Sequence, residues 1–194
     1  MESLILPVLL GLGLAAASGL KTFLPLLMLA VAARFHLFGV SLNEHVGWLG
    51  SPGALAALGV AAAAEFIADK VPIVDHALSL FGTVARPAAG ALATYAVLGK
   101  ADPSVAAIAA LILRAPTALA FHTAQSGARL ASTASTAGLG NPVVSLVEDG
   151  LAVLTVVVAF TAPLLIPLVP GALLFLVWRM VKAVRGSKAI KPAS

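Results

Sequence analysis

Seven charged residues lie within or beside long apolar runs of this chain: Lys21, Glu65, Asp69, Arg114, Arg129, Glu148 and Asp149. A charge held inside a bilayer costs at least ~2.5–3.5 kcal/mol on insertion scales, so each is a functional candidate by default. Glu65 and Asp69 are four residues apart and share a helix face. Asp69 and Lys70 end that helix beside Val71-Pro72, so a simple place at headgroup level is the alternative to a pathway role for them, while Glu65 is deeper. Glu148 lies six residues into a later helix, close after Asn141-Pro142. Arg114 stands in mid-helix near Pro116 and reads as a structural partner. Acids of this kind suit a proton or Na⁺. Lys21 and Arg129, each near a helix break with free backbone N–H groups, suit a small anion. The simpler alternative is mutual pairing that only holds a bundle together.

A polar strip accompanies these charges. The stretch 125–142 carries Ser126, Gly127, Arg129, Ser132, Ser135, Thr136 and Asn141, although it sits at membrane depth by its place in the chain. On a helix, Ser132, Ser135 and Thr136 line one face with Arg129. Such a strip requires water, a ligand or a partner helix, unless it is an inter-helix loop in solvent. Gly11-x-Gly13-x-x-Ala16 matches a dinucleotide fingerprint by letters only, since no strand precedes it. His36, His45, His76 and His122 show no ligand spacing, so neither a metal site nor a cofactor is expected. No nucleophile–base arrangement stands out.

The elements that must position these residues are apolar helices. Of 194 residues, 60% are hydrophobic and 10% charged, where a soluble domain carries about 25% charged. The mean hydropathy is +1.05. At roughly 20 residues per crossing there is room for six or so spans. The segments are 4–35, 53–71, 87–99, 104–124, 143–161 and 164–181. Pro163, Pro167 and Pro170 punctuate the last join. The first segment would measure about 48 Å as one helix, against a hydrocarbon core of about 30 Å. Ser18-Gly19-Leu20-Lys21-Thr22 and Pro25 stand in its middle and predict a broken helix. Glu2 and the apolar run resuming after Lys21 argue against a cleaved signal peptide. The absence of cysteine excludes disulfides, thiolate metal sites and a cysteine nucleophile.

Three echoes recur in order. Ser18-Gly19-Leu20-Lys21 is matched by Ser126-Gly127-Ala128-Arg129, Leu49-Gly50-Ser51-Pro52 by Leu139-Gly140-Asn141-Pro142, and Gly90-Ala91-Leu92 by Gly171-Ala172-Leu173. They divide one membrane domain, 1–186, into halves of about 1–100 and 101–186, followed by a basic tail at 187–194. Three crossings per half make the repeat inverted, an architecture shared by many secondary transporters. The expected fold is therefore an all-α membrane protein of about six spans, some broken, as a 3+3 inverted repeat.

The chain carries a formal charge of +4, but five of its twelve basic residues, Arg179, Lys182, Arg185, Lys188 and Lys191, sit in the last sixteen positions. That clustering argues for anionic lipid at a cytoplasmic end rather than for nucleic acid. With the N-terminus inside, Lys70, Arg86 and the tail face the cytoplasm, and only Arg34 and Lys100 lie outside. Both termini are therefore expected in the cytoplasm.

The stretches Glu65-Phe-Ile-Ala-Asp69-Lys70-Val-Pro72-Ile-Val-Asp75 and Ser132 through Asp149 resemble those of a small bacterial integral-membrane family, domain of unknown function 4126. The resemblance spans most of the chain. It implies a bacterial inner-membrane protein and brings no activity or site residues with it. The leading expectation is a small secondary transporter or channel for an ion or solute, with its site at the repeat interface near midplane. A pathway lined by the two Ser-Gly breaks and the Ser/Thr strip would carry the solute. The alternatives are a non-transporting scaffold or accessory subunit, and an intramembrane lipid-acting enzyme using Glu65, Glu148 or Asp149. With fewer than 200 residues, a homodimer would complete a pathway.

Overall fold

Prolines and small polar caps set the helix starts. Ser51 accepts a hydrogen bond from Ala54 N–H (3.2 Å) and Pro52 opens α3, Pro52–Ala68. Pro72 opens α4, Pro72–Val97. Asp102 accepts from Ser104 and Val105 N–H at the start of α5, Pro103–Ala109. The computed structural model describes residues 5–99, 101–136 and 139–169. These form seven α-helices and no strand, the others being α1 (Ile5–Leu20), α2 (Leu24–Arg34), α6 (Ala115–Thr136) and α7 (Asn141–Thr161).

The expected break in the first segment is present. Lys21 N–H bonds Ala17 O at the last turn of α1, and α2 restarts at Leu24 with Pro25 in its first turn. Pro25 has no N–H and its ring would collide with the carbonyl four residues back, so one helix cannot run through.

Four other expectations are corrected. The third segment begins at Pro72, not Pro87, which lies inside α4. Val71-Pro72 is an equally good proline start, and contacts with α1 hold α4 through Pro87. As a result Arg86 is not a loop charge on the inner face but a buried residue in mid-helix. The fourth segment does not stop near Ala124. It continues through a π-helical turn, Ala110–Arg114, into α6. There Ala115 N–H reaches back five residues to Ala110 O, a wider turn that absorbs Pro116 next to it. Consequently Ser126-Gly127 is no break: both lie in the uninterrupted α6, because no proline follows them as Pro25 follows Lys21.

Among the described residues, two helical runs, Pro103–Ala134 and Asn141–Thr161, are long and apolar enough to cross a membrane. A third counts if Glu44–Gly50 and α3, bent by 66°, form one span. α1 and α2 are shorter apolar helices. Of the sixth segment only 164–169 is described. The last echo, Gly171-Ala172-Leu173, the basic tail and Lys100 lie outside the described residues.

α1 is the central helix, packed on α4, α6 and α7. Thr94 Oγ1 donates to Gly11 O (2.9 Å), Gly90 lies against Ala15, and Arg86 donates to Gly19 O (3.1 Å). These pairs step by four in opposite senses, so α4 runs antiparallel to α1 along a seam of small residues. A Cβ on Gly13 would come within 2.6 Å of Ala159 Cβ on α7. A Cβ on Gly19 would strike the Ala118 carbonyl on α6. Side chains there would force the helices apart.

The polarity of the outer helices is inverted relative to a soluble bundle. On α3 the one fully buried residue is Glu65, while Val60, Phe66 and Ile67 are exposed. On α7, Ser145, Glu148 and Thr155 are buried while Leu146, Val147, Leu151 and Leu154 face outward.

Candidate functional site: a buried charge network at the helix break

The break between α1 and α2 exposes backbone carbonyls at one end and N–H groups at the other. Both are met by opposite charge. Glu65 of α3 accepts from Thr22 N–H (2.8 Å) and Phe23 N–H (3.1 Å) at the start of α2. Arg86 of α4 donates to Gly19 O at the end of α1. Each charge also opposes the sign of the helix dipole it faces.

Arg86 further donates to His122 Nδ1 (2.9 Å), whose Nε2 lies 3.4 Å from Thr83 Oγ1. With Nδ1 accepting from an arginine, the tautomer consistent with these contacts carries its proton on Nε2.

From Lys21 an alternating chain of charges extends both ways. The Lys21 ammonium contacts Asp69 Oδ2 and lies 2.6 Å from Asp149 Oδ1. The other Asp149 oxygen meets Lys70 Nζ at 3.2 Å. Lys70 is also held by Phe66 O (3.0 Å) and stacks 3.4 Å over the Phe66 ring. In the other direction, Asp69 Oδ2 lies 3.6 Å from an Arg129 terminal nitrogen. Arg129 grips Glu148 through Nε (3.0 and 3.2 Å) and that terminal nitrogen, and Gln125 Nε2 donates to Glu148 Oε2 (2.6 Å). The order is Lys70, Asp149, Lys21, Asp69, Arg129, Glu148, Gln125. Side-chain exposure falls from 28% at Lys70 through 13% at Asp149 to 1% at Asp69. The chain of charges therefore leads from the partly exposed Lys70 to a buried centre.

Several buried polar atoms beside this network have no hydrogen-bond partner: Ser18 Oγ, Asp69 Oδ1, Gln125 Oε1, Ser145 Oγ and Arg86 Nε. Asp149 Oδ1 makes no hydrogen bond either, although it is in ion-pair range of Lys21.

A separate cavity of about 690 Å³ lies at the other end of α1. It is lined by Leu6, Leu10, Val97, Leu98 and Phe160 among others, with the Phe38 and Phe160 rings stacked at 5.4 Å. None of the network residues lines it.

The family model described as domain of unknown function (DUF4126) matches residues 8–183. The chain belongs to this family. No curated protein and no solved structure matches it.

All the network residues of this DUF4126 chain lie within the matched span. Of the residues expected from sequence, Lys21, Glu65, Asp69, Arg129, Glu148 and Asp149 come together, with Ser18 and Gly19 one turn or less before Lys21. Asp69, a pathway candidate from the sequence, lies at the centre of the network, where it is 3% exposed, as buried as Glu65. The polar strip bonds locally instead. Thr136 Oγ1 donates to Ser132 O (2.7 Å) and accepts from Gly140 N–H (2.9 Å), and Asn141 Nδ2 donates to Thr133 Oγ1 (3.0 Å). These bonds close the α6–α7 turn. Ser126 is half-buried and Gly127 is exposed with open space beside it. The side chains of Ser135 and Arg114 lie outside the described residues.

Sequence reading missed Lys70, Arg86, His122 and Gln125 as site members. A signal existed for two of them: His122, Gln125 and Arg129 follow the three–four spacing of one helix face. Arg86 carried a weaker one, as a charge inside the apolar run 80–98.

Proposed function

We propose that this DUF4126 protein is embedded in the cell inner membrane and acts as a small secondary transporter or channel for a small ion. Its six crossings form a 3+3 inverted repeat with both termini cytoplasmic. The observation that carries the reading is Asp69, buried, holding Lys21 from the first half and Arg129 from the second beside the break between α1 and α2. Broken helices with charged partners at a repeat interface are the usual form of a transporter site. The outward apolar faces of α3 and α7, with acids turned inward, suit lipid surroundings. With Arg86 counted in the bundle interior, Lys70 and the tail still outweigh Arg34 and Lys100 in loop charge.

The solute is a cation or a proton rather than an anion. The backbone N–H groups that would serve an anion at the α2 start are taken by the chain's own Glu65. A homodimer completes the pathway in this reading.

One observation favours a second reading, a non-transporting scaffold. Lys21, Lys70, Arg86 and Arg129 are matched one for one by Glu65, Asp69, Glu148 and Asp149, which is also what structural pairing requires. Purified protein in proteoliposomes separates the two. Under imposed monovalent-cation or pH gradients, wild-type protein should conduct or exchange ions, and Asp69→Asn should abolish this. A protein that folds yet moves no ion under any such gradient leaves the scaffold standing.

A further inference from the structure

The cavity at the other end of α1 stands apart from the charge network and has a chemistry of its own. Its volume of about 690 Å³ falls within the roughly 300–1,000 Å³ of small-molecule sites. None of the residues lining it ionises, and Ser41 alone among them has a polar side chain. A sugar, a nucleotide or an ion would shed water there and find no partner. Water fares little better, because a cavity without polar groups stays dry. Hydrocarbon suits such a lining. The floor is buried at Val40, Val97, Leu98 and Ala159, whereas Phe38 on the rim is 59% exposed and Ser41 and Gly99 are exposed beside it. Phe35 and Leu37, just before Phe38, are exposed, and so is Trp48 in the following 3₁₀ helix, Glu44–Gly50. Asn43 N–H bonds Ala96 O (2.7 Å), which ties the start of that helix to Val97 of the cavity. Arg34, also exposed, ends α2. Outward aromatic rings with a basic residue form the fringe of a membrane–water interface, so the mouth opens to lipid at headgroup level.

The mouth also carries strain. His36 (φ 54°) and Phe38 (φ 56°) both take the left-handed backbone that bulky side chains rarely adopt. Phe38 stacks flat on Phe160 across this turn, with ring centroids 5.4 Å apart and planes 4° from parallel. Strain of that kind gathers at ligand clamps. We infer that the cavity binds one acyl chain of a membrane phospholipid, gripped by the Phe38–Phe160 pair, while the headgroup stays outside at the interface. A phospholipid already holds its glycerol at that level, so one chain enters without the molecule leaving the bilayer. The exposed Arg34 offers its phosphate a cation.

This site does not depend on the ion-transport reading and needs only that the chain lie in a bilayer. Full-length protein is reconstituted into phosphatidylcholine vesicles doped with a phosphatidylglycerol that carries a diazirine midway along one chain. After illumination, labelled residues are mapped by mass spectrometry. The outward face of α7, at Leu146, Val147 and Leu154, reports ordinary surrounding lipid. Label should also appear on the cavity floor at Val40, Val97 and Leu98. Ser41→Trp places an indole in the mouth and should lower floor labelling by about tenfold, the loss of roughly two buried methylenes. The α7 face should label as before. If Ser41→Trp does not fold, Leu6→Trp on the cavity lining decides. A floor left unlabelled while α7 is labelled overturns the site, as does a floor labelled equally in wild type and blocked protein. Floor labelling by a diazirine fatty acid but not by the phospholipid would also overturn it, in favour of the free acid.

Discussion

Lys21 and Arg129, from opposite halves of the chain, meet on one atom, Oδ2 of Asp69. Two cations converging on one buried carboxylate oxygen would repel unless further acids stood on their far sides, and Asp149 and Glu148 do. The arrangement is an alternating lattice in which no member can be removed alone without exposing another.

Arg129→Ala alone leaves Glu148 buried with only Gln125, and should cost about 3–5 kcal/mol. Thermal melting and folded yield would both fall. The double change Arg129→Ala with Glu148→Ala should recover much of that loss. Stability restored with ion flux still absent favours a pathway, while restoration of both would mean the charges are structural.

Glu65 is the cap of α2, so Glu65→Ala should fray the first turn of that helix. Loss of a buried acceptor serving two N–H groups is expected to cost about 1–3 kcal/mol. Hydrogen exchange at Thr22 and Phe23 should accelerate most, and unchanged protection there would remove Glu65 from this role.

Arg86→Met deprives Gly19 O of its donor and His122 Nδ1 of its partner. A comparable loss of about 1–3 kcal/mol should appear in the melt. Arg86→Lys should restore only part of it, since one ammonium cannot reproduce the planar fork.

Gly19→Val should be worse tolerated than Gly127→Val. The first drives a side chain into the Ala118 carbonyl and Phe121, while the second meets open space. A difference of about 1–3 kcal/mol in melting stability is expected from overpacking, set against the smaller cost of a β-branched residue within a helix. Equal effects would contradict the close α1–α6 approach.

Topology is checked on a clean background, because the chain has no cysteine. Single cysteines at Lys70 and in the tail should be labelled from the cytoplasmic side, and one at Arg34 from the other. A periplasm-only reporter fused to the C-terminus should stay silent, and a strong signal would reverse the orientation.

The sequence by itself determined what depends on near neighbours. Apolar composition demanded helices, Pro52 and Pro103 opened them, and Gly19 with Pro25 broke the first one, because steric and hydrogen-bond limits at those positions act within one turn. The four-residue spacing of Glu65 and Asp69 likewise set both on one face. Only the tertiary structure decided which way that face points and what it meets. The periodicity of an apolar helix with few polar residues hardly distinguishes its lipid side from its core side, so the sequence left a headgroup place open for Asp69 and made Arg86 a loop charge. Their pairing depends on the rotation and register of α3, α4 and α6 around α1. Those are set where Gly11, Gly13, Gly19 and Gly90 let the helices close, and no single segment contains that information.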